Sequence, residues 1–392
     1  MATTVGLDLP VNVSNLLFEE SIANFSFSLY GAVTKESNDF ICPYSVSAAL
    51  LLLSLGTAGT TENQLIDAIF GGQTPDNVHL GLQSLEEKIQ PKPGVEFTSA
   101  SRLFVSERFK ILDTYKNDSL EYYGSETVGL DFATQTEKSR SIINDWIATE
   151  TKNRIKDMIP FGILNANTLM VLTNAVYFKG TWKQQFDPKQ TQKRNFLVGQ
   201  NEQTQVNMMY GKFDAMSGEN TELDCKILQL PYAGDQFSMV FVLPNSASGL
   251  NQLEQQLSFS SYETLLSDLT MQETIIRIPK FTIEKMYDLQ PILNSLGIVE
   301  IFDSKVANFT NMIPDDINNA GVYVSDARHK AFLEVTEEGS EAAAATSMQI
   351  QLTSAVFNLN PPFQFVADHP FLFVIQENES RTILFIGRYA KP

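Results

Sequence analysis

The stretch that most constrains this chain runs over residues 334–371, EVTEEGSEAAAATSMQIQLTSAVFNLNPPFQFVADHPF. It opens like a strand, with Val335 and Thr336, and stops behaving like one at Gly339. Glu341, Ala342, Ala343, Ala344 and Ala345 follow, and alanine favours helix over strand. A run this short, flanked by Gly339, Thr346 and Ser347, does not hold a helix in water. The segment is therefore expected to be an exposed loop. Nothing in it forbids a later extended conformation, since no proline intervenes before Pro361 and alanine fits beneath neighbouring side chains. The rest of the chain has to accommodate a loop able to become a strand.

The period of the apolar residues changes along the sequence. Near-helical spacing predicts helices over residues 15–30, 45–55, 61–70, 79–89, 113–123 and 137–151, the third capped by Thr60 or Thr61. One strand is expected at 95–105. Beyond residue 165 the signal turns to strand: 169–182 reads as buried on both faces. Shorter β-rich segments follow at 204–209, 215–216, 225–231 and 237–244, the last two joined by the turn residues AGDQ. A helical stretch at 250–269 precedes a strand at 273–283, a short helix at 289–296, a strand at 322–336 and two apolar C-terminal strands. Helices first and sheets later imply an α+β fold. No linker, charge block or repeat divides the 392 residues, so one domain is expected over 1–392.

Composition excludes several functions. A formal charge of -18 argues against nucleic acid, heparin-like polyanions and acidic membranes as partners. The longest apolar run, AALLLLSL, is too short to span a bilayer. Two cysteines, Cys42 and Cys225, give no disulfide framework. His79, His329 and His369 lie far apart, without metal-ligand spacing, and no cofactor is expected. No phosphate-binding loop or nucleophile elbow is present, so the chain is not expected to be an enzyme. An extracellular address is favoured. Residues 1–14 nevertheless show no basic stretch leading into an apolar one, which leaves an intracellular address open.

Four motifs carry a resemblance to a known family: CPYSVSAALLLLSLGTAG at residues 42–59, NAVYFKGTW at 174–182, HKAFLEVTEEGSEAAAA at 329–345 and FVADHPFLFVI at 365–375. In this order they resemble the serpins, the serine protease inhibitor superfamily, and in particular its inhibitory members. The resemblance implies a single domain of three β-sheets with eight to nine helices and an exposed reactive-centre loop, here residues 339–361. It also implies a suicide-substrate inhibitor, in which the cleaved loop enters the central sheet as an extra strand and the target protease is held in a covalent complex. Serpin loop insertion is itself a known instance of β-strand addition.

Carried over position by position, Gly339 and Ser340 would be the pivot of the hinge, with Glu337 before them and Glu341, Ala342, Ala343, Ala344 and Ala345 after. Ser45, Asn174 and His329 look like the polar cluster beneath the gap that admits the loop; Lys280 and Glu337 look like the charge pair at its top, capped by Trp182. Cys42 departs from the family's usual serine, which predicts one lost hydroxyl contact. About sixteen residues beyond Glu337 the count reaches Thr353, making Thr353–Ser354 the expected reactive bond, with Leu352 and Phe357 as rivals. No Lys or Arg lies between Lys330 and Arg381, so a trypsin-like pocket finds nothing to hold. The expected target is an elastase-like serine protease or a papain-like cysteine protease, both of which pass through an acyl-enzyme. The region 79–89 carries Glu86, Glu87 and Lys88 rather than a basic row, so heparin is not an expected cofactor. A monomer is expected. The competing reading is a non-inhibitory relative acting in storage, as a chaperone or as a carrier.

Overall fold

A computed structural model describes residues 11–33, 35, 37–71, 75–199, 202–314, 321–340 and 361–392. Residues 341–345 of the hinge and the candidate bond residues Leu352, Thr353, Ser354 and Phe357 lie outside that set. The first part is mainly helical: α1 (Val11–Ala32), β1 (Asp39–Ile41), α2 (Pro43–Ser54), α3 (Thr60–Phe70), α4 (Pro75–Ile89), β2 (Val95–Ser106), α5 (Asp113–Tyr123), β3 (Val128–Leu130) and α6 (Thr136–Glu150). Strands then dominate: β4 (Met170–Thr181), β5 (Gln192–Leu197), β6 (Gln203–Asn220), β7 (Cys225–Pro231) and β8 (Phe237–Pro244). Next come α7 (Leu250–Gln256), α8 (Phe259–Ser267), β9 (Thr270–Pro279), β10 (Phe281–Asp288) and α9 (Leu289–Ser295). The chain closes with β11 (Asp326–Val335), β12 (Gly339–Ser340), β13 (Phe363–Val366), β14 (Phe371–Glu377) and β15 (Ile383–Tyr389). The architecture is α+β, as the change of period implies.

Counted by hydrogen bonding, the described strands form two networks. One runs β10-β11-β4-β2-β3 with β12 on β4, the other β1-β15-β14-β8-β7-β6-β9-β13 with β5 on β6. The third sheet implied by the resemblance is continuous with the larger network because β6 is long enough to serve twice. Its first residues pair β5, its centre pairs β9 and its last five residues pair β7.

β4 explains why its sequence reads as unbroken apolar. Leu172, Val176 and Phe178 join the main core with α2, whereas Val171 and Ala175 join Ile143 and Ile147 of α6 in a second cluster. Successive side chains point to opposite faces, so both faces of this strand are covered. The β7–β8 hairpin turns over residues 233–236, where Gly234 (φ 85°) and Asp235 (φ 59°) take the positive φ that glycine and aspartate tolerate best.

Four expectations need correction. The strand expected at 273–283 is two strands, β9 and β10, in different sheets: Lys280 still donates its N–H to the Asn207 carbonyl of β6, and from Phe281 the chain changes partner to β11. The helix expected at 250–269 breaks at Leu257, and a Ser258–Ser261 capping box restarts it. The segments at 204–209 and 215–216 are parts of one strand, β6. The cap of α3 is Gly59 with no side-chain bond; Thr61 instead donates to Glu300 and accepts from the Asn308 N–H.

Candidate functional site

The site is the seam between β4 and β11, the middle strands of the smaller network. These two run parallel and are paired from Asp326↔Val171 to Phe332↔Tyr177. Beyond that point β11 continues to Val335 alongside β10, but β4 gains a different neighbour. The chain turns over residues 336–339 and comes back as β12, antiparallel to β4, with Gly339 opposite Thr181 and Ser340 opposite Gly180. Gly339 and Ser340 thus lie at the open end of the seam, in strand register with one wall.

This seat is built for Gly339. Its φ of 139° disfavours any side chain, and a Cβ there would lie 1.9 Å from the Gly180 carbonyl oxygen and 2.7 Å from Thr181 Cα. Three contacts close the turn: the Thr336 N–H and Oγ1 donate to the Gly339 carbonyl at 2.6 and 2.9 Å, and the Gly339 N–H returns to the Thr336 carbonyl at 3.2 Å. Trp182 donates its indole N–H to the Thr336 carbonyl at 3.0 Å and its backbone N–H to Glu338 at 2.8 Å. Its ring stacks on Tyr232, with centroids 4.5 Å apart and planes 7° off parallel, and the Tyr232 hydroxyl lies 2.9 Å from Ser340 Oγ. Both rings are buried. Trp182 therefore lies over the open end as expected; Tyr232, Thr336 and Phe186, whose N–H donates to the Glu337 carbonyl, were not among the expected residues.

Lys280 and Glu337 do meet, Nζ to Oε2 at 2.9 Å, and Thr191 donates to Oε1 at 2.8 Å. Burial alone would raise the Glu337 carboxyl, but the bonds from Lys280 and Thr191 hold it below the ordinary carboxylate range. The pair ties the last residues before the loop to the start of β10 and to the approach of β5.

Ser45, Asn174 and His329 are also brought together, all fully buried. Asn174 and His329 are register partners across the seam. Asn174 Oδ1 accepts from Ser45 Oγ at 2.8 Å and from His329 Nδ1 at 2.5 Å; its Nδ2 donates to the Ser45 carbonyl at 3.1 Å and to Ser101 Oγ at 2.7 Å. One amide thus clasps β2, β11 and the start of α2 onto β4, with every polar atom satisfied. His329 Nε2 accepts the Cys42 N–H at 3.2 Å, which puts the ring proton on Nδ1. Burial lowers the imidazole to about 3, so the ring is neutral at physiological pH. Cys42 enters this network through its backbone, the N–H donating to His329 and the carbonyl accepting from Ser45 at 3.2 Å. Its buried thiol is pushed up to about 12 by desolvation. Ser101 is the member that sequence reasoning missed: nothing local marks it, and only the register that sets it opposite Asn174 does.

Comparison with known proteins accords with this geometry. Residues 20–392 match the family model described as serpin (serine protease inhibitor). The chain is 36% identical over 380 residues to the leukocyte elastase inhibitor of Sus scrofa, covering 94% of this chain and 97% of that protein. It is 34% identical over 381 residues to serpin B6 of Pongo abelii, covering 95% and 99%. Among solved structures, uncleaved ovalbumin at 1.95 Å superposes with a TM-score of 0.86 at 29% identity, over 96% of this chain and 100% of that one. The family is one of inhibitors and not of catalysts, and the chain is accordingly not an enzyme. Sequence, seam geometry and relatives agree: this chain belongs to the serpin family.

Proposed function

We propose that the chain is a suicide-substrate inhibitor whose loop is cut at Thr353–Ser354 by a non-tryptic protease and then completes the seam between β4 and β11. The observation that carries this reading is the position of Gly339 and Ser340, already paired to β4 at the open end. Continuing that register one residue at a time sets Ala342 opposite Phe178, Ala344 opposite Val176, Thr346 opposite Asn174, Met348 opposite Leu172 and Ile350 opposite Met170. Opposed residues share a face, so these side chains would enter the main core, to which Met170, Leu172, Val176 and Phe178 belong. Glu341, Ala343, Ala345, Ser347 and Gln349 would take the other face. The alternation of Ser347-Met348-Gln349-Ile350-Gln351-Leu352-Thr353 is the period-2 pattern of a half-buried strand. It holds as far as Thr353, which supports that bond over Phe357.

In the proposed reaction the protease nucleophile attacks the Thr353 carbonyl carbon, the Thr353–Ser354 C–N bond breaks, and the Ser354 amine leaves with a proton from the enzyme's acid. The residue left behind is an ester with a serine protease or a thioester with a cysteine protease. Insertion parts the β4–β11 pairs and replaces one parallel contact by two antiparallel ones. Twelve to fourteen inserted residues span roughly 40–47 Å. At about 0.5–1.5 kcal/mol per hydrogen bond the new ladder supplies on the order of 10 kcal/mol, with Met348 and Ile350 adding about 2 kcal/mol each. That drive carries the acyl-enzyme away before water can release it.

Similarity to a leukocyte elastase inhibitor supports the elastase-like arm; Leu352 beside the bond supports the papain-like one. The small side chains at 342–345 disfavour the storage, chaperone and carrier readings, since nothing bulky obstructs insertion. Cys42 and Cys225 are free and buried, so the fold needs no oxidising compartment. The extracellular address expected from the sequence has no support in the fold or the relatives, and an intracellular one suits the free thiols. Incubation with elastase and with papain, followed by denaturing electrophoresis and mass analysis of the released C-terminal peptide, tests the proposal. A band at the summed mass less the 39-residue C-terminal peptide, and a peptide beginning at Ser354, are expected; clean cleavage without such a band by either enzyme refutes it.

A further inference from the structure

β5 occupies the ground between the two ends of the loop. Thr191, next to its first residue, donates to Glu337 just before the loop, and Leu197, its last residue, donates its N–H to the Asp368 carbonyl just after it, at 2.8 Å. Among the described residues β5 pairs with β6 alone, so its other edge is open. Lys193 and Arg194 are exposed on it, with exposed Lys189 in the preceding turn, and none of the three has an ion-pair partner among the described residues. Lys193 and Arg194 face Asn207 and Val206 across the ladder, and residues 203–213 of β6 contain no acid. In a chain of net charge -18 this is a local inversion of sign beside the described residues on either side of the loop.

From this placement we infer that β5 and the turn before it are a secondary contact surface for an acidic rim on the target protease, an inference that rests on the inhibitory reading above. Rim charges act mainly on association rate and salt dependence. Lysine on an edge strand also discourages edge-to-edge pairing. That role alone would leave protease affinity indifferent to the sign of the charge.

The test compares the full chain with K193E/R194E. The probe is anhydrochymotrypsin, which docks on a loop without cutting it and whose pocket suits Leu352 or Phe357, used native and after succinylation of its lysines. At low salt, charge reversal is expected to weaken binding of the succinylated probe by about fivefold and to strengthen binding of the native one, both effects fading at high salt. Thermal melting of the variant checks that the fold is kept. Equal affinity of both chains for the succinylated probe, or no affinity for either form, overturns the inference. Retention on immobilised heparin that the reversal abolishes, with probe affinity unchanged, assigns the strand to polyanions and overturns it too. If neither elastase nor papain forms a covalent complex while the charge dependence holds, the trapping mechanism fails and the contact surface stands.

Discussion

His329 gives the sharpest handle on the seam. Its imidazole is fully buried, donates from Nδ1 to Asn174 and accepts the Cys42 N–H at Nε2. Burial lowers it from 6.5 to about 3. A histidine depressed in the folded state stays neutral while the unfolded chain takes up a proton, so stability is complete above the unfolded value and is lost as pH falls toward the folded one. The window runs from about pH 6.5 down to about pH 3, and each unit costs about 1.4 kcal/mol. At about pH 4.5 the loss from this one group is about 2.7 kcal/mol, a large part of the margin of an ordinary fold. Denaturant midpoints are to be measured across that range for the natural chain and for His329→Gln. Subtracting the two removes the carboxylates, which titrate in both. The natural chain should lose stability relative to the variant with the slope given above, and protonation should open the seam, speeding self-association. A difference that stays flat from neutral pH to about pH 4.5 would refute the assignment of a neutral, doubly bonded ring.

Gly339→Ala should leave the fold intact but spoil the seat, because the added Cβ meets the Gly180 carbonyl. A cost of about 2 kcal/mol to the first step of insertion slows it roughly thirtyfold, so the variant should be cut as a substrate, read as cleaved chain against covalent complex. Ala344→Asp should abolish trapping while Ala343→Asp largely retains it, since only the former is aimed at the core; equal effects would contradict the register. Lys280→Ala leaves Glu337 with Thr191 as its remaining side-chain partner. With Lys280 41% exposed, a loss of about 1 kcal/mol at neutral pH is expected, vanishing once Glu337 is protonated below the ordinary carboxylate range. Urea midpoints at the two pH extremes check it.

Legibility in the sequence followed how local the determinant was. β7 and β8 are found at the residues expected, because alternation and a Gly-Asp turn are short-range signals, and α5 likewise matches 113–123. β9 and β10 read as one continuous strand over 273–283, and only the change of partner from β6 to β11 at Phe281 separates them. The open end of the seam was half legible. Trp182, Lys280 and Glu337 carry motif signals, while Tyr232, Thr191 and Thr336 act through contacts across the fold that no spacing announces. Cys42 joins the network through its backbone N–H and carbonyl, which any residue there supplies and no side-chain motif announces.

The central claim is that the loop completes the seam as a strand, and melting before and after a single cut tests it most directly. The chain nicked in its loop at or just after Thr353 should unfold about 12 °C above the intact chain, as about 10 kcal/mol of added ladder spread over the unfolding entropy of 392 residues requires. A nicked chain that melts at or below the intact one would contradict the account.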